Sequence, residues 1–258
     1  MSPRTFVPLL FSLLLASCTA GSAPPAQEPA PATAAAPATA PATDAPASPA
    51  EEERFDLLVR DDFFAALLER DQAALERAMA VCEKTLARDP DHAEALVWHG
   101  GGLIMRASAA FQEGDSERGM ELWTAGLAEM DRAVALAPDN VGTRIPRGAT
   151  LLASSPFVPE PQRTQLLDKA LGDYERVLEI QSAYFDKLSR HARTQLLFGL
   201  ADGWNRRGDQ AKARAYYERL REVAAGTAYG KRAEAYLAGD TAVKPVSCGG
   251  CHAAMIDR

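Results

Sequence analysis

The chain has 258 residues, a formal net charge of -7 and a pI near 5.2. That balance argues against a nucleic-acid partner, because binding to phosphates rests on neutralisation by clustered Lys and Arg. Hydrophobic residues make up 47% and charged residues 24%, and the roughly 190 residues after Glu51 suit one domain with a sizeable core.

The first element, Met1 to Ala16, carries Arg4 and then an apolar run from Phe6 to Ala16, and it reads as an export signal. The run is about 11 residues, too short to span a bilayer at roughly 20. Leu15-Ala16-Ser17-Cys18 resembles the lipobox of bacterial lipoproteins. The resemblance implies that residues 1–17 are a lipoprotein signal peptide and that Cys18 is acylated as the mature N-terminus. Thr19, rather than Asp, after that cysteine resembles the outer-membrane sorting pattern. The implied location is a periplasm-facing domain anchored by lipid to the outer membrane of a double-membraned bacterium.

Residues 18–50 hold the lipidated Cys and a linker. Gly21 to Ala50 is dominated by Ala and Pro, with almost no bulky apolar residue. Such a segment cannot bury enough surface to offset its ordering entropy. It is expected to be a disordered tether, reaching up to roughly 90 Å if fully polyproline-like.

From 51 to 240 apolar residues recur at three-and-four spacing, and no segment alternates as a strand would. The pattern predicts an all-α domain with helices near Phe55–Leu68, Gln72–Arg88, Ala93–Phe111, Ser116–Ala137, Arg144–Ala153, Gln162–Ile180, Ala183–Arg207 and Gln210–Ala224. A short last helix falls near Tyr229–Leu237. Asp91 with Glu94 reads as a capping box, and Asp115 and Asp209 as N-caps after glycine. With Thr143 as N-cap, Pro146 falls in the first turn of its helix, where a missing donor is harmless.

Leu197, Leu200, Ala201 and Trp204, the Gly208-Asp209 turn, then Ala213, Tyr217 and Leu220 place large and small residues on two facing stripes. This resembles the tetratricopeptide repeat. Weaker copies run through Ala78, Pro90, Leu96, Gly100 and Leu103, and through Ala133, Pro138, Gly148 and Leu151. The resemblance implies an α-solenoid of about four TPR-like helix pairs plus a short capping helix. The second and third pairs exceed a 34-residue unit, and Ser154–Pro161 is a Pro-rich insertion. In that register the first helices line a groove for a protein or peptide partner. Its expected lining is Val97, Gly101, Ile104 and Met105, then Ile145, Ala149 and Leu152, and finally Phe198, Asp202, Asn205 and Arg206. The other expectation is that neighbouring helices cover several of these side chains.

Within the third helix Gly100-Gly101-Gly102 costs about 1 kcal/mol per residue relative to Ala, so a close neighbouring helix or a ligand near Trp98 and His99 is expected there. Cys82 reads as a small core residue, and His92, His99 and His191 as solvent-facing or hydrogen-bonded side chains. Residues 241–258 form a tail with Cys248-Gly249-Gly250-Cys251-His252, the C-x-x-C-H pattern of covalent haem attachment. The two thiols would add to the vinyl groups of haem c, and His252 would ligate the iron. A redox dithiol, a metal site with ligands from elsewhere and an inert tail are the alternatives. Only Ala253 to Arg258 follow, and Met255 is too close to His252 to reach the opposite face of the same iron. A second axial ligand would then come from elsewhere or be absent.

No arrangement of catalytic residues stands out, so an enzyme is not expected. Three functions are compatible with these residues. The chain is an interaction scaffold, a haem-bearing electron-transfer or sensing module, or, by resemblance of fold alone, an accessory component of a periplasmic solute transporter.

Overall fold

The computed structural model describes residues 54–242, and Cys18, the Ala/Pro segment and Cys248, Cys251 and His252 lie outside them. The described residues are all-helical. They form α1 (Phe55–Glu69), α2 (Gln72–Leu86), α3 (Ala93–Glu113), α4 (Ser116–Leu136), α5 (Val141–Ser154), α6 (Gln162–Gln181), α7 (Arg190–Arg207), α8 (Gln210–Val223) and α9 (Ala228–Leu237), with short 3-10 turns at Ser155–Phe157 and Ser182–Lys187.

Side-chain caps set most of the starts. Asp71, Asp115 and Asp209 accept from the backbone N–H of Ala74, Arg118 and Lys212, satisfying one of the donors that a helix leaves unpaired at its N-terminus. Gly114 and Gly208 end α3 and α7 at φ 88° and 89°, a left-handed conformation that glycine adopts without a Cβ penalty.

Three local expectations are corrected. The cap of α3 is His92, whose Nδ1 accepts from Ala95 N at 3.1 Å. Asp91 instead pairs with Arg132, and Glu94 accepts from Asn140 Nδ2 at 3.0 Å. The cap of α5 is Asn140, so Pro146 lies in the second turn and offers no N–H to the Gly142 carbonyl. Thr143 is buried and bonds the Asn140 carbonyl. The stretch from Ala183 does not continue into α7. It ends in an extended Leu188, and Ser189 starts the helix again by accepting from Ala192 N.

Each odd-numbered helix up to α7 packs against the next even one as a hairpin, and α9 closes on α8. The first helices also touch one another in sequence, α1 with α3, α3 with α5 and α5 with α7. One apolar cluster joins α1, α2 and the near half of α3 around Phe63, Met79 and Leu103. A second runs from α3 to α9 through Leu151, Leu167, Leu197 and Tyr217.

The glycine run in α3 is explained by close helices. A Cβ on Gly100 would lie 2.7 Å from the Gly126 carbonyl of α4, and one on Gly126 would lie 2.7 Å from the Gly100 carbonyl. A Cβ on Gly102 would lie 2.1 Å from Met79 Sδ, whereas Gly101 has room. Gly100→Ala meets backbone rather than a flexible side-chain tip. It is expected to lose about 1–3 kcal/mol, the usual cost of overpacking, while Gly101→Ala, which meets nothing closer than Thr150 Oγ1 at 3.7 Å, is expected to gain about 0.4–1 kcal/mol. Urea unfolding of the two variants checks the contrast.

Candidate functional site

The first helices supply the surface on which the predicted lining residues fall, and the structure divides those residues. Val97, Ile104 and Leu152 are buried in the core, because α3, α5 and α7 pack directly on one another as well as on their hairpin partners. The expectation that they line a groove is corrected on that ground. Gly101, Met105, Ile145, Ala149 and Phe198 are half-buried, with the Phe198 ring edge-on to Tyr229 at 4.8 Å.

The polar end of this surface is held by the chain itself. Asp202 is 1% exposed and Asn205 7%. Arg206 donates from Nε to Asp202 Oδ2 at 2.7 Å and from Nη1 to the Leu152 carbonyl at 3.1 Å. Asn205 donates from Nδ2 to the Thr241 carbonyl at 3.0 Å. These three side chains are therefore not an open lining, which corrects the expectation for them.

Arg232 on α9 completes the arrangement. It is 6% exposed and donates from Nη1 to the Asp240 carbonyl at 2.9 Å and from Nη2 to the Ala242 carbonyl at 2.5 Å. Its guanidinium lies 5.7 Å from the centre of the Tyr217 ring, a cation–π distance. Tyr236 donates to Gln210 Oε1 at 2.5 Å and stacks on Tyr217 at 4.1 Å. Asn205 and Arg232 thus clamp three successive backbone carbonyls, those of Asp240, Thr241 and Ala242.

Asp202 is the electrostatic centre of the clamp. Burial pushes its carboxyl above the usual range, and the Arg206 and Arg232 guanidinium groups oppose that rise. A carboxyl raised in the folded state favours folding most at low pH. That contribution declines as pH rises from the ordinary carboxylate range through the folded-state value.

Two other clusters are structural. His99 Nδ1 and Glu129 Oε2 are 2.6 Å apart, joining α3 to α4. Cys82 is fully buried, and burial raises its thiol from 9.0 to about 12. Since the thiolate is the nucleophile, Cys82 is expected to resist alkylation at neutral pH until the chain unfolds. Timed iodoacetamide labelling in buffer and in denaturant checks this. The contribution of Cys82 to folding stability should be constant below pH 9 and fall as pH rises towards about 12, where the folded thiol finally ionises.

Among the described residues no group of three or more His, Cys, Asp or Glu side chains is placed to hold a metal ion, and no helix is long and apolar enough to cross a membrane. The chain matches no protein-family model, no curated protein and no solved structure.

Sequence reasoning missed the clamp. Its signal was present as Arg232, a cation within the apolar spacing Tyr229, Ala233 and Tyr236 of a helix too short to solvate it at both ends.

Proposed function

We propose that the chain is a lipid-anchored periplasmic scaffold of tetratricopeptide-like helix pairs that presents a haem-attachment segment at its last pair. The observation that carries the reading is the clamp. Asn205 and Arg232 fix the backbone at Asp240–Ala242, so the stretch leading to Cys248 leaves from a defined place beside α7 and α9. Cys248 lies six positions after Ala242, no more than roughly 22 Å of extended chain.

The donor set fits haem c. Cys248 and Cys251 carry thiols at the spacing that adds across two vinyl groups, and His252 offers the imidazole. When bound, the group would supply one-electron chemistry and an iron site for small ligands; the protein's part would be to hold the segment and exclude or admit a partner. The half-buried strip of Gly101, Met105, Ile145, Ala149 and Phe198 is the place for that partner, with first helices packed in series as in a helical-repeat docking face.

Mass spectrometry of the chain made in a host with haem-attachment machinery tests the proposal. A C-terminal peptide carrying the porphyrin mass is the expected result. Two free or disulfide-linked cysteines there would overturn it. In the same preparation Cys18→Ala is expected to release the protein from the membrane fraction or leave it unprocessed, since stable anchoring takes two or more acyl chains. A mature-size variant still on the membrane would refute the anchor.

A further inference from the structure

Three buried polar side chains meet where α7, α8 and α9 come together. Asp202 on α7 is 1% exposed, Tyr217 on α8 0% and Arg232 on α9 6%. Among the described residues six buried side-chain polar atoms have no hydrogen-bond partner, and three of them are Asp202 Oδ1, Tyr217 Oη and Arg232 Nε. The other three are Trp98 Nε1, Arg193 Nε and Trp204 Nε1, donors only. The junction of the last three helices alone combines unpaired donors with an unpaired acceptor.

Each of these atoms is what remains after its side chain has been fixed by other contacts. Arg206 places both Nε and Nη2 at 2.7 Å from Asp202 Oδ2, which leaves the lone pairs of Oδ1 unused. Arg232 directs Nη1 and Nη2 to the Asp240 and Ala242 carbonyls, so its Nε–H is left inside the domain. Tyr217 stacks on Tyr236 at 4.1 Å, with the Arg232 guanidinium 5.7 Å from its ring centre. The three groups also sense one another. Burial first, and then the Asp202 carboxylate, push the Tyr217 phenol above its ordinary value, and Arg232 opposes the rise at both Tyr217 and Asp202.

A buried polar atom without a partner bears the full cost of leaving water. Three such atoms in one place ask for a molecule that serves them all. We propose that the junction of α7, α8 and α9 is a binding site for a single internal water, which accepts from Arg232 Nε–H and Tyr217 O–H and donates to Asp202 Oδ1.

The chemistry of the site selects water over an ion. Two accepted bonds and one donated bond make three, the usual number for a buried water. A chloride could accept from both donors, but it would lie against the lone pairs of Asp202 Oδ1. A metal cation would face the guanidinium groups of Arg206 and Arg232. The water joins α9 to α7 and α8 beneath the clamp on residues 240–242, and it depends neither on the haem segment nor on a partner.

Two measurements on the chain carrying Cys18→Ser, and so free of acyl groups, test the site. A crystal structure should show one water oxygen about 2.7–3.2 Å from all three atoms. A direct hydrogen bond between Tyr217 and Asp202, an ion at that position, or a water reaching fewer than three of the atoms would overturn the proposal. Tyr217→Phe supplies the sign in solution, because it keeps the ring and its stacking and deletes only the hydroxyl. Loss of a bond to the water should lower the urea midpoint below that of the parent chain. Deleting a hydroxyl that has no partner would instead relieve a buried polar group. A midpoint equal to or above the parent's would therefore overturn the proposal. A lowered midpoint would also follow from a direct bond to Asp202, and the crystal structure tells the two apart.

Discussion

Replacing Asp173 with Ala is expected to remove about 2–4 kcal/mol of folding stability, because it deprives two half-buried guanidinium groups of their shared, fully buried carboxylate. Asp173 sits on α6 and its side chain is 0% exposed. Arg147 grips it with two bonds, Nε to Oδ2 at 2.7 Å and Nη2 to Oδ1 at 2.8 Å, and Arg144 adds Nη1 to Oδ1 at 2.8 Å. Arg147 also reaches Asp131 of α4 at 3.0 Å, and Lys169 bonds the other oxygen of Asp131 at 2.6 Å. The network ties α4, α5 and α6 together, across the boundary between two helix hairpins. Arg144→Ala should cost less, about 1–2 kcal/mol, since the two-bond contact to Arg147 survives it. Urea unfolding of both variants and of the double variant measures the coupling. A double variant whose loss equals the sum of the single losses would show that the three side chains do not act as one unit.

Asp173 also shows what a sequence can and cannot convey. It lies in the apolar stripe of α6, with Leu166, Ala170 and Val177 at helical spacing and all buried. A carboxylate in that stripe, with Arg144 and Arg147 three residues apart on the preceding helix, was a readable sign of a buried pair. Helix existence was legible almost throughout, because the caps and the Gly208 turn are local signals that act within one turn of the chain. Where two capping residues stood close together, as with Asp91 and His92 or Asn140 and Thr143, spacing alone did not choose between them. In the first case a long-range contact decided, Asp91 going to Arg132; in the second Asn140 caps through Oδ1 while the Thr143 hydroxyl turns back to the Ala137 and Asn140 carbonyls.

The inner surface was less legible for a different reason. Periodicity tells which side of a helix is apolar, but not how closely its neighbours approach. Gly100, Gly148 and Gly199 let neighbours come near. A Cβ on Gly199 would lie 2.4 Å from the Tyr174 ring, and one on Gly148 would lie 3.3 Å from it. Side chains beside such contacts, Val97, Ile104 and Leu152, pass from lining to core. Asp202, Asn205 and Arg206 look like an open polar surface in the sequence because the groups that satisfy them are distant. Thr241 lies 36 residues from Asn205, and Leu152 lies 54 from Arg206.

Removing the cation that closes the C-terminal clamp should unfasten the end of the domain. Arg232→Met keeps most of the aliphatic volume and deletes the bonds to the Asp240 and Ala242 carbonyls together with the charge near Asp202. The expected loss is about 2–4 kcal/mol, combining charge-assisted hydrogen bonds with a less compensated buried carboxylate. Arg206 still holds Asp202 at 2.7 Å, which keeps the loss below that of a fully orphaned charge. The deficit should depend on pH with a definite sign. Without Arg232 the Asp202 carboxyl rises further, so the variant sheds stability over a wider range as pH increases. At a pH low enough to protonate Asp202 in both proteins, the difference should narrow to the lost backbone contacts. Hydrogen exchange at residues 239–242 provides the second readout. Faster exchange confined to α9 and this segment, with α1 to α6 unchanged, is the expected pattern. Equal acceleration throughout the domain would mean that Arg232 supports the whole core rather than the point from which the Cys248–His252 segment departs.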